Sequence, residues 1–162
     1  MFRKLTVAAA FLLANFPAVA PLRADEAGEA RLRLADATEL AGRAQRKAAD
    51  MGLNIAVAIV NREGRVVLAH RMDEASFLNL SVAEDKAVTA AMLSGPSSDL
   101  AKGVDGGMPS LLSVRGVIAM GGGMPILRGG RAIGGLGISG GSPEQDEQIA
   151  RAALESGAVK SH

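Results

Sequence analysis

The sequence predicts an α+β domain in which helices flank an antiparallel sheet. Apolar residues recur every three or four positions in two segments, which is the period of an amphipathic helix. Short runs rich in β-branched residues alternate with tight glycine turns, which is typical of hairpins. The predicted order is helix, two strands, helix, three strands, helix. Because strands joined by tight turns pair antiparallel, we expect the helices to pack against one sheet in a single domain.

The first half of this pattern contains one helix and one hairpin. Asp36 in the first turn of the helix and Lys47 near its end suit the helix dipole, and Gly52 ends it. Residues 55–60 and 65–70 are predicted strands around a turn at 61–64. The apolar stripe of the helix comprises Leu34, Ala37, Ala41, Ala44, Ala48 and Met51. Alternation along the second strand places Val66, Leu68 and His70 on one face and Val67, Ala69 and Arg71 on the other.

The second half begins with another helix, which carries Leu80, Ala83 and Ala87 on one stripe and ends at Gly95-Pro96. Residues 97–115 are predicted to form a short helix and a loop. Three strands follow at 117–120, 124–128 and 131–139, and the last two are joined by a two-glycine turn. Ser142 as the cap and Pro143 at the first helical position predict a final helix that ends at Gly157.

The first residues have the three parts of a secretory signal. A basic start is followed by an apolar run over residues 5–16 and then by small residues. The run is shorter than the roughly 20 apolar residues that a membrane span requires. We therefore predict a signal peptide over residues 1–24, cleaved after Ala20 or Ala24, and a mature domain over 25–162. The expected location is periplasmic or secreted.

Composition excludes several classes of function. The predicted mature chain has 15 basic and 17 acidic residues and no basic stripe, so we expect no nucleic acid partner. Phe77 is its one aromatic residue. The absence of cysteine excludes disulfides, thiolate nucleophiles, iron–sulfur clusters and covalent haem attachment. Neither H-E-x-x-H nor G-x-x-x-x-G-K-[ST] occurs, and we assign no catalytic residue.

Several motifs occur together in one order. Residues 122–141 read G-G-M-P-I-L-R-G-G-R-A-I-G-G-L-G-I-S-G-G, and E-Q-D-E follows at 144–147. Upstream are A-I-V-N-R-E-G at 58–64, R-M-D at 71–73 and K-A-x-T-A at 86–90. Over about residues 32–157 the chain resembles the GlcG/HbpS haem-binding family. Asn61 and Arg65 depart from the family pattern, so the tip of the first hairpin is atypical.

The resemblance implies a profilin-like fold with a five-stranded antiparallel sheet and assembly into homo-oligomers. It also implies non-covalent binding of haem, or of a corrinoid in domains attached to cobalamin-processing enzymes. Some exported relatives act as haem or redox sensors beside a partner protein. We expect the sheet face and the helix edges to bury the porphyrin, and a cation to meet its propionates.

His70 is the first candidate ligand for the haem iron. His162 lies at the C-terminus, so His70 is the one histidine in the body of the domain. A neutral imidazole is the usual protein ligand of haem iron. The alternative is an inert surface histidine at a sheet edge.

Arg71 and Lys86 are candidate cations for propionates or a substrate carboxylate. The alternative for both is structural: an ion pair of Arg71 with Asp73, and of Lys86 with Glu84 or Asp85. Met120 and Met124, with Met108, either line a soft apolar pocket or fill the core.

These observations favour a non-catalytic haem-binding protein that buffers, transports or senses haem. Two alternatives remain open. One is an accessory or enzymatic subunit that binds a small organic acid or a corrinoid in an oxidation pathway. The other is a structural oligomer that binds haem incidentally.

Overall fold

The computed structural model describes residues 31–155. The predicted signal peptide, Gly157 and His162 lie outside this range. The four α-helices are α1 (Leu34–Asp50), α2 (Phe77–Leu93), α3 (Ser98–Asp105) and α4 (Pro143–Glu155), and a 3₁₀ turn spans Pro109–Ser113. The strands are β1 (Ala56–Asn61), β2 (Val66–Arg71), β3 (Gly123–Arg128) and β4 (Arg131–Ser139). None of the described helices is long and apolar enough to cross a membrane.

The predicted α+β architecture is confirmed: the strands form one antiparallel sheet in the order β2-β1-β4-β3. The described residues contain four strands rather than five, because residues 117–120 do not join the sheet. Side chains bind the main chain of this segment instead. The Ile118 amide donates to the Thr89 hydroxyl (2.9 Å), and the Ser97 hydroxyl donates to the Met120 carbonyl (2.6 Å).

One face of the sheet is covered by α1 and α4 and contains the large aliphatic core. Ile59, Leu136 and Ile138 from the sheet and Leu40 and Ile149 from the helices are almost completely buried. Gly52, at φ +68°, ends α1 as predicted. Ser142 begins α4 as predicted: its hydroxyl accepts the Gln145 amide at 3.3 Å.

The other face is covered by α2 and is made of small residues. Ala58 of β1 packs against Ala83 and Ala87 of α2. A Cβ atom at Gly137 would overlap the carbonyl oxygen of Ala83 and lie 2.7 Å from the Ala87 nitrogen. The main chain of α2 therefore lies directly on β4, which is the close backbone packing that the glycine-rich sequence predicts.

A bulge changes the predicted faces of β2. The register between β1 and β2 shifts after Ile59, so that Val66 lies opposite Val60, which packs on the α2 face. Val67 and Leu68 both contact the large aliphatic core. The prediction that Val66 shares a face with Leu68 and His70 is therefore wrong at Val66, because the extra residue reverses the alternation.

Candidate functional site at the edge of strand β2

The end of β2 and the start of α2 form an exposed corner at the sheet edge. We call it the edge corner and define it by His70, Arg71, Phe77 and Leu78. The Ser76 hydroxyl accepts the Leu78 amide at 3.4 Å, which caps α2 and makes Phe77 its first residue. Phe77 is 84% exposed and Leu78 is 68% exposed. Such exposure of the one aromatic residue between 31 and 155 indicates a contact surface.

Arg71 makes several contacts within the edge corner. Its guanidinium carbon lies 4.5 Å from the centre of the Phe77 ring, which is a cation–π contact. One guanidinium nitrogen donates to the main-chain carbonyls of Met72 (3.3 Å), Asp73 (3.1 Å) and Ala75. The bond to Asp73 goes to its carbonyl, so in the described chain Arg71 fixes the loop between β2 and α2 rather than forming the alternative ion pair.

His70 precedes Arg71 on the same edge strand, opposite Val57 of β1. It is exposed, as a ligand for an external group must be. Consecutive strand residues point to opposite faces, so His70 lies on the side of Val57 and the aliphatic core, whereas Arg71 lies with Phe77 on the α2 side. The α2 side of the edge corner therefore offers a guanidinium and an apolar surface, which suit a flat ligand with an apolar body and a negative charge.

A groove of about 470 Å³ adjoins the edge corner at Arg71. Its walls are mostly polar: Gln45, Asn54, Met72, Asp73 and Glu74. The carboxylates of this groove oppose an anionic ligand. An anion that contacts Arg71 is therefore better placed on the Phe77 side, where the neighbouring side chains are apolar.

Lys86 lies inside the protein, with a side chain that is 1% exposed. Its ammonium group donates to the Asp146 carboxylate at 2.7 Å and to the Ile138 carbonyl at 3.0 Å. The second oxygen of Asp146 accepts the Gly141 amide at 2.9 Å. The structural alternative named the wrong partners, because Lys86 pairs with Asp146 on α4 rather than with Glu84 or Asp85. A contact between Lys86 and a propionate would have to break this pair, and the ligand role of Lys86 stays a prediction.

Met120 and Met124 lie in different surroundings. Met124, the second residue of β3, lies opposite Leu136 and packs partly buried against the large aliphatic core. Met120 is 39% exposed. It belongs to an apolar segment, which we call the methionine segment and define by four exposed residues: Met108, Leu112, Val114 and Met120.

The structure does not bring the five predicted residues together within one chain. His70 and Arg71 lie on the edge strand β2, whereas Met124 lies on the opposite edge strand β3. Three strand spacings, about 14 Å, separate these edges. The expectation that a sheet face buries the porphyrin is wrong, because helices already cover both faces and residues 56–60 are at most 1% exposed.

Phe77 is the site residue that sequence reasoning missed. Its position after Ser76, at the start of a capped helix, was the available signal, since the first helical turn is commonly exposed. Within residues 31–155, no three His, Asp or Glu side chains come together as a metal site.

The HbpS-like family model, described as haem degrading protein HbpS-like, matches residues 32–155. The chain belongs to the HbpS-like family. The match includes every described helix and strand and all five predicted site residues.

Two solved structures show the same fold. The crystal structure of HbpS has a TM-score of 0.75 and 35% identity, covering 78% of this chain and 89% of that chain. A crystal structure of a PduOC–haem complex has a TM-score of 0.72 and 34% identity, covering 82% of this chain and 99% of that chain. The fold of this HbpS-like chain is therefore also that of a domain solved with haem.

Two curated relatives match by sequence. An uncharacterized 15.0 kDa protein from the dhaT–dhaS intergenic region of Citrobacter freundii is 30% identical over 130 residues, which are 78% of this chain and 92% of the relative. The corrinoid adenosyltransferase PduO of Salmonella typhimurium is 33% identical over 147 residues, which are 88% of this chain. The HbpS-like chain spans only 44% of that enzyme.

Proposed function

We propose that the protein binds haem non-covalently at the edge corner. The observation that carries this proposal is the exposed Phe77 ring, with Arg71 4.5 Å from its centre. His70 precedes Arg71 on the edge strand but points to the opposite face, so a ligand that uses both would lie across the exposed sheet edge. The haem complex of the similar PduOC domain and the HbpS-like description of the family support the choice of ligand.

The side chains of the edge corner fit the three parts of haem. The His70 imidazole is the ligand type that haem iron prefers. The Arg71 guanidinium can bind a propionate with two parallel hydrogen bonds. Phe77 and Leu78 offer the apolar surface against which the porphyrin packs. Bound haem would supply an iron centre capable of electron transfer or of binding a small ligand.

A second copy of the chain would complete this site. The edge corner is open on one side, whereas a ligand site usually buries most of its ligand. The methionine segment is the apolar surface that a second copy would place over it, and Met120 would then contact the porphyrin. We therefore propose a homo-oligomer in which Met120 and His70 of one site come from different copies.

The proposed role is haem buffering, transport or sensing outside the cytoplasm. The signal-like residues 1–24 support export to the periplasm or beyond. A sensor would need a partner protein, such as a receptor or a redox protein, that distinguishes the loaded form from the empty form.

A corrinoid is the second candidate ligand, and the similarity to the corrinoid adenosyltransferase PduO favours it. A corrin is also a flat macrocycle with a metal that takes an imidazole. A small organic acid bound to Arg71 is a weaker candidate, because it would leave the exposed Phe77 ring without a role in binding.

Titration of the purified protein with haemin tests the proposal. We expect saturation at one haem per chain, with a shifted Soret band. His70→Ala should weaken binding at least tenfold and change the Soret position, because the iron loses its imidazole. His162→Ala is the matched control and should leave both unchanged. Iron-free protoporphyrin should bind equally to the wild type and His70→Ala, but more weakly to Phe77→Ala.

Several results would contradict the proposal. Uptake without saturation would indicate incidental adsorption to a structural oligomer. A normal spectrum in His70→Ala would remove His70 as the ligand. Displacement of haem by equimolar cobalamin would favour the corrinoid, and steady loss of the Soret band with a reductant in air would indicate haem degradation.

A further inference from the structure

The end of the sheet opposite the edge corner carries a concentration of arginine. Asn61 of β1 lies opposite Gly134 of β4, so the turns that close the two hairpins lie side by side. Arg128 joins this end to the start of α1: it donates to the Arg31 carbonyl at 3.1 Å and to the Asp36 carboxylate at 3.2 Å. We call this surface the arginine end and define it by Arg31, Arg33, Arg62, Arg65, Arg128 and Arg131.

Between residues 31 and 155, the segments that form the arginine end contain more basic than acidic residues. Residues 31–36, 61–66 and 127–132 contain six of the fourteen basic residues between 31 and 155, but only two of the fourteen acidic residues. These segments have a formal charge of +4, and the rest of the described chain has −4. Hydrogen bonds from Arg33 hold the pKa of Asp36 below its ordinary value. The formal charge of +4 therefore includes Asp36 as a carboxylate. Within residues 31–155, positive charge is therefore concentrated at this end of the sheet.

Exposed aliphatic side chains lie among these arginines. Leu34 is 58% exposed, Val66 is 51% exposed and Leu127 is 49% exposed. A cleft of about 450 Å³ opens at the same end. Its polar lining is Arg31, Asn61, Arg62 and Glu63, and its apolar lining is Leu32, Val67 and Ile133. Exposed aliphatic residues thus occur in the same three segments as the arginines.

The combination of arginines with exposed aliphatic residues favours an anionic bilayer over a nucleic acid as the partner. A nucleic acid surface offers phosphates but gives little reason for exposed leucine and valine, and the arginine end has no aromatic residue on which a base could stack. A bilayer with anionic headgroups matches both components. Phosphates attract the guanidinium groups, and aliphatic side chains enter the boundary between headgroups and acyl chains.

We propose that the arginine end is a peripheral binding surface for membranes rich in anionic phospholipid. Because β1 and β4 separate the two ends of the sheet, a bound protein would hold the edge corner away from the bilayer. This surface is independent of the haem proposal: substitutions at one end should leave the properties of the other unchanged.

Co-sedimentation with vesicles tests this inference. The full chain is used in every sample. The acidic residues Asp25, Glu26 and Glu29, which precede Arg31, and the apolar residues 5–16 are therefore the same in the wild type and in all variants. We expect binding to vesicles of phosphatidylglycerol and phosphatidylcholine in equal parts, and weaker binding to phosphatidylcholine alone. The triple variant Arg62→Gln/Arg65→Gln/Arg131→Gln should bind the anionic vesicles at least tenfold more weakly. Each of the three cations is attracted to the anionic headgroups, and each therefore adds to the affinity for the vesicles. Raising the salt should reduce wild-type binding towards the level of the variant.

The matched control removes the same charge elsewhere. Lys47→Gln/Lys102→Gln/Arg151→Gln changes three cations on α1, α3 and α4 and should retain most of the binding. Equal losses in both triple variants would overturn the proposal, since net charge alone would then explain binding. Preference for heparin or duplex DNA over vesicles would overturn it in favour of a polyanion site. A changed oligomeric state in the arginine variant would instead assign this end to a contact between copies.

Discussion

The two faces of the sheet use the same four strands but are packed by different means. On the face covered by α1 and α4, branched aliphatic side chains such as Leu136 and Ile138 separate the helices from the strands. On the α2 face, alanine and glycine allow the helix main chain to lie on the strand itself. Neighbouring residues of β4 therefore face opposite constraints. A side chain must be absent at Gly137, whereas at Ile138 it must be large.

Adding one methyl group to the α2 face should have the largest effect on stability. In Gly137→Ala the new Cβ overlaps the Ala83 carbonyl and lies 2.7 Å from the Ala87 nitrogen, and both atoms belong to a helix main chain that cannot rotate away. We expect a loss of more than about 4 kcal/mol in the free energy of unfolding. Urea denaturation of the haem-free protein, followed by circular dichroism, measures this loss.

Gly130→Ala is the matched control for that substitution. Gly130 lies in the turn between β3 and β4 at φ +77°, and nothing lies within 4 Å of a Cβ built there. The cost should be about 1–2 kcal/mol, which is that of a left-handed conformation alone. If Gly137→Ala cost no more than Gly130→Ala, α2 would not be in main-chain contact with the sheet.

The Lys86–Asp146 pair connects the two layers and should give the second largest effect. Lys86 extends from α2 to Asp146 at the start of α4, where both side chains are buried. Lys86→Met leaves the Asp146 carboxylate without its cation, so we expect a loss of about 3–5 kcal/mol. The double variant Lys86→Met/Asp146→Asn removes both charges and retains an acceptor for the Gly141 amide, so it should recover most of the loss.

The same denaturation measurement distinguishes an ion pair from a simple packing role. If the double variant were as unstable as Lys86→Met, the loss would come from changed packing at position 86 and from the Ile138 carbonyl left without its donor, rather than from an uncompensated charge. Haemin titration of the double variant adds a second readout. Unchanged affinity would assign Lys86 to the fold, and a lost propionate contact would appear as weaker binding.

Local pattern was enough to predict most of the elements. The helix caps at Gly52 and Ser142, the two-glycine turn and the strand at 131–139 all depend on neighbouring residues, and the structure confirms them. The prediction of a fifth strand was wrong because residues distant in the sequence determine the structure of this segment. Residues 117–120 have strand-like composition, but Thr89 and Ser97 from distant segments bind their main chain. No periodicity within four residues can reveal such partners.

The site was less predictable than the fold for the same physical reason. Asp146 lies in a first helical turn, where an acid is expected on dipole grounds, so nothing local marks it as the partner of a lysine sixty positions away. Phe77 was visible in the sequence, yet its contact with Arg71 depends on how the loop over residues 72–76 turns. Which residues lie at the edge of the sheet depends on the order of the strands. The sequence pattern predicts the strands but not their order.

Removing one methyl group from the opposite face should have the smallest effect. Ile138 follows Gly137 on β4, is completely buried and packs in the aliphatic core under α1 and α4. Ile138→Val leaves a space the size of one methyl group, so we expect a loss of about 0.5–1.5 kcal/mol with an unchanged denaturant dependence. The two variants each change one carbon at adjacent residues of β4, by addition on the α2 face and by removal on the opposite face. A loss at Ile138 as large as that at Gly137 would mean that both layers tolerate a one-carbon change equally poorly, and the distinction between main-chain and side-chain packing would then fail.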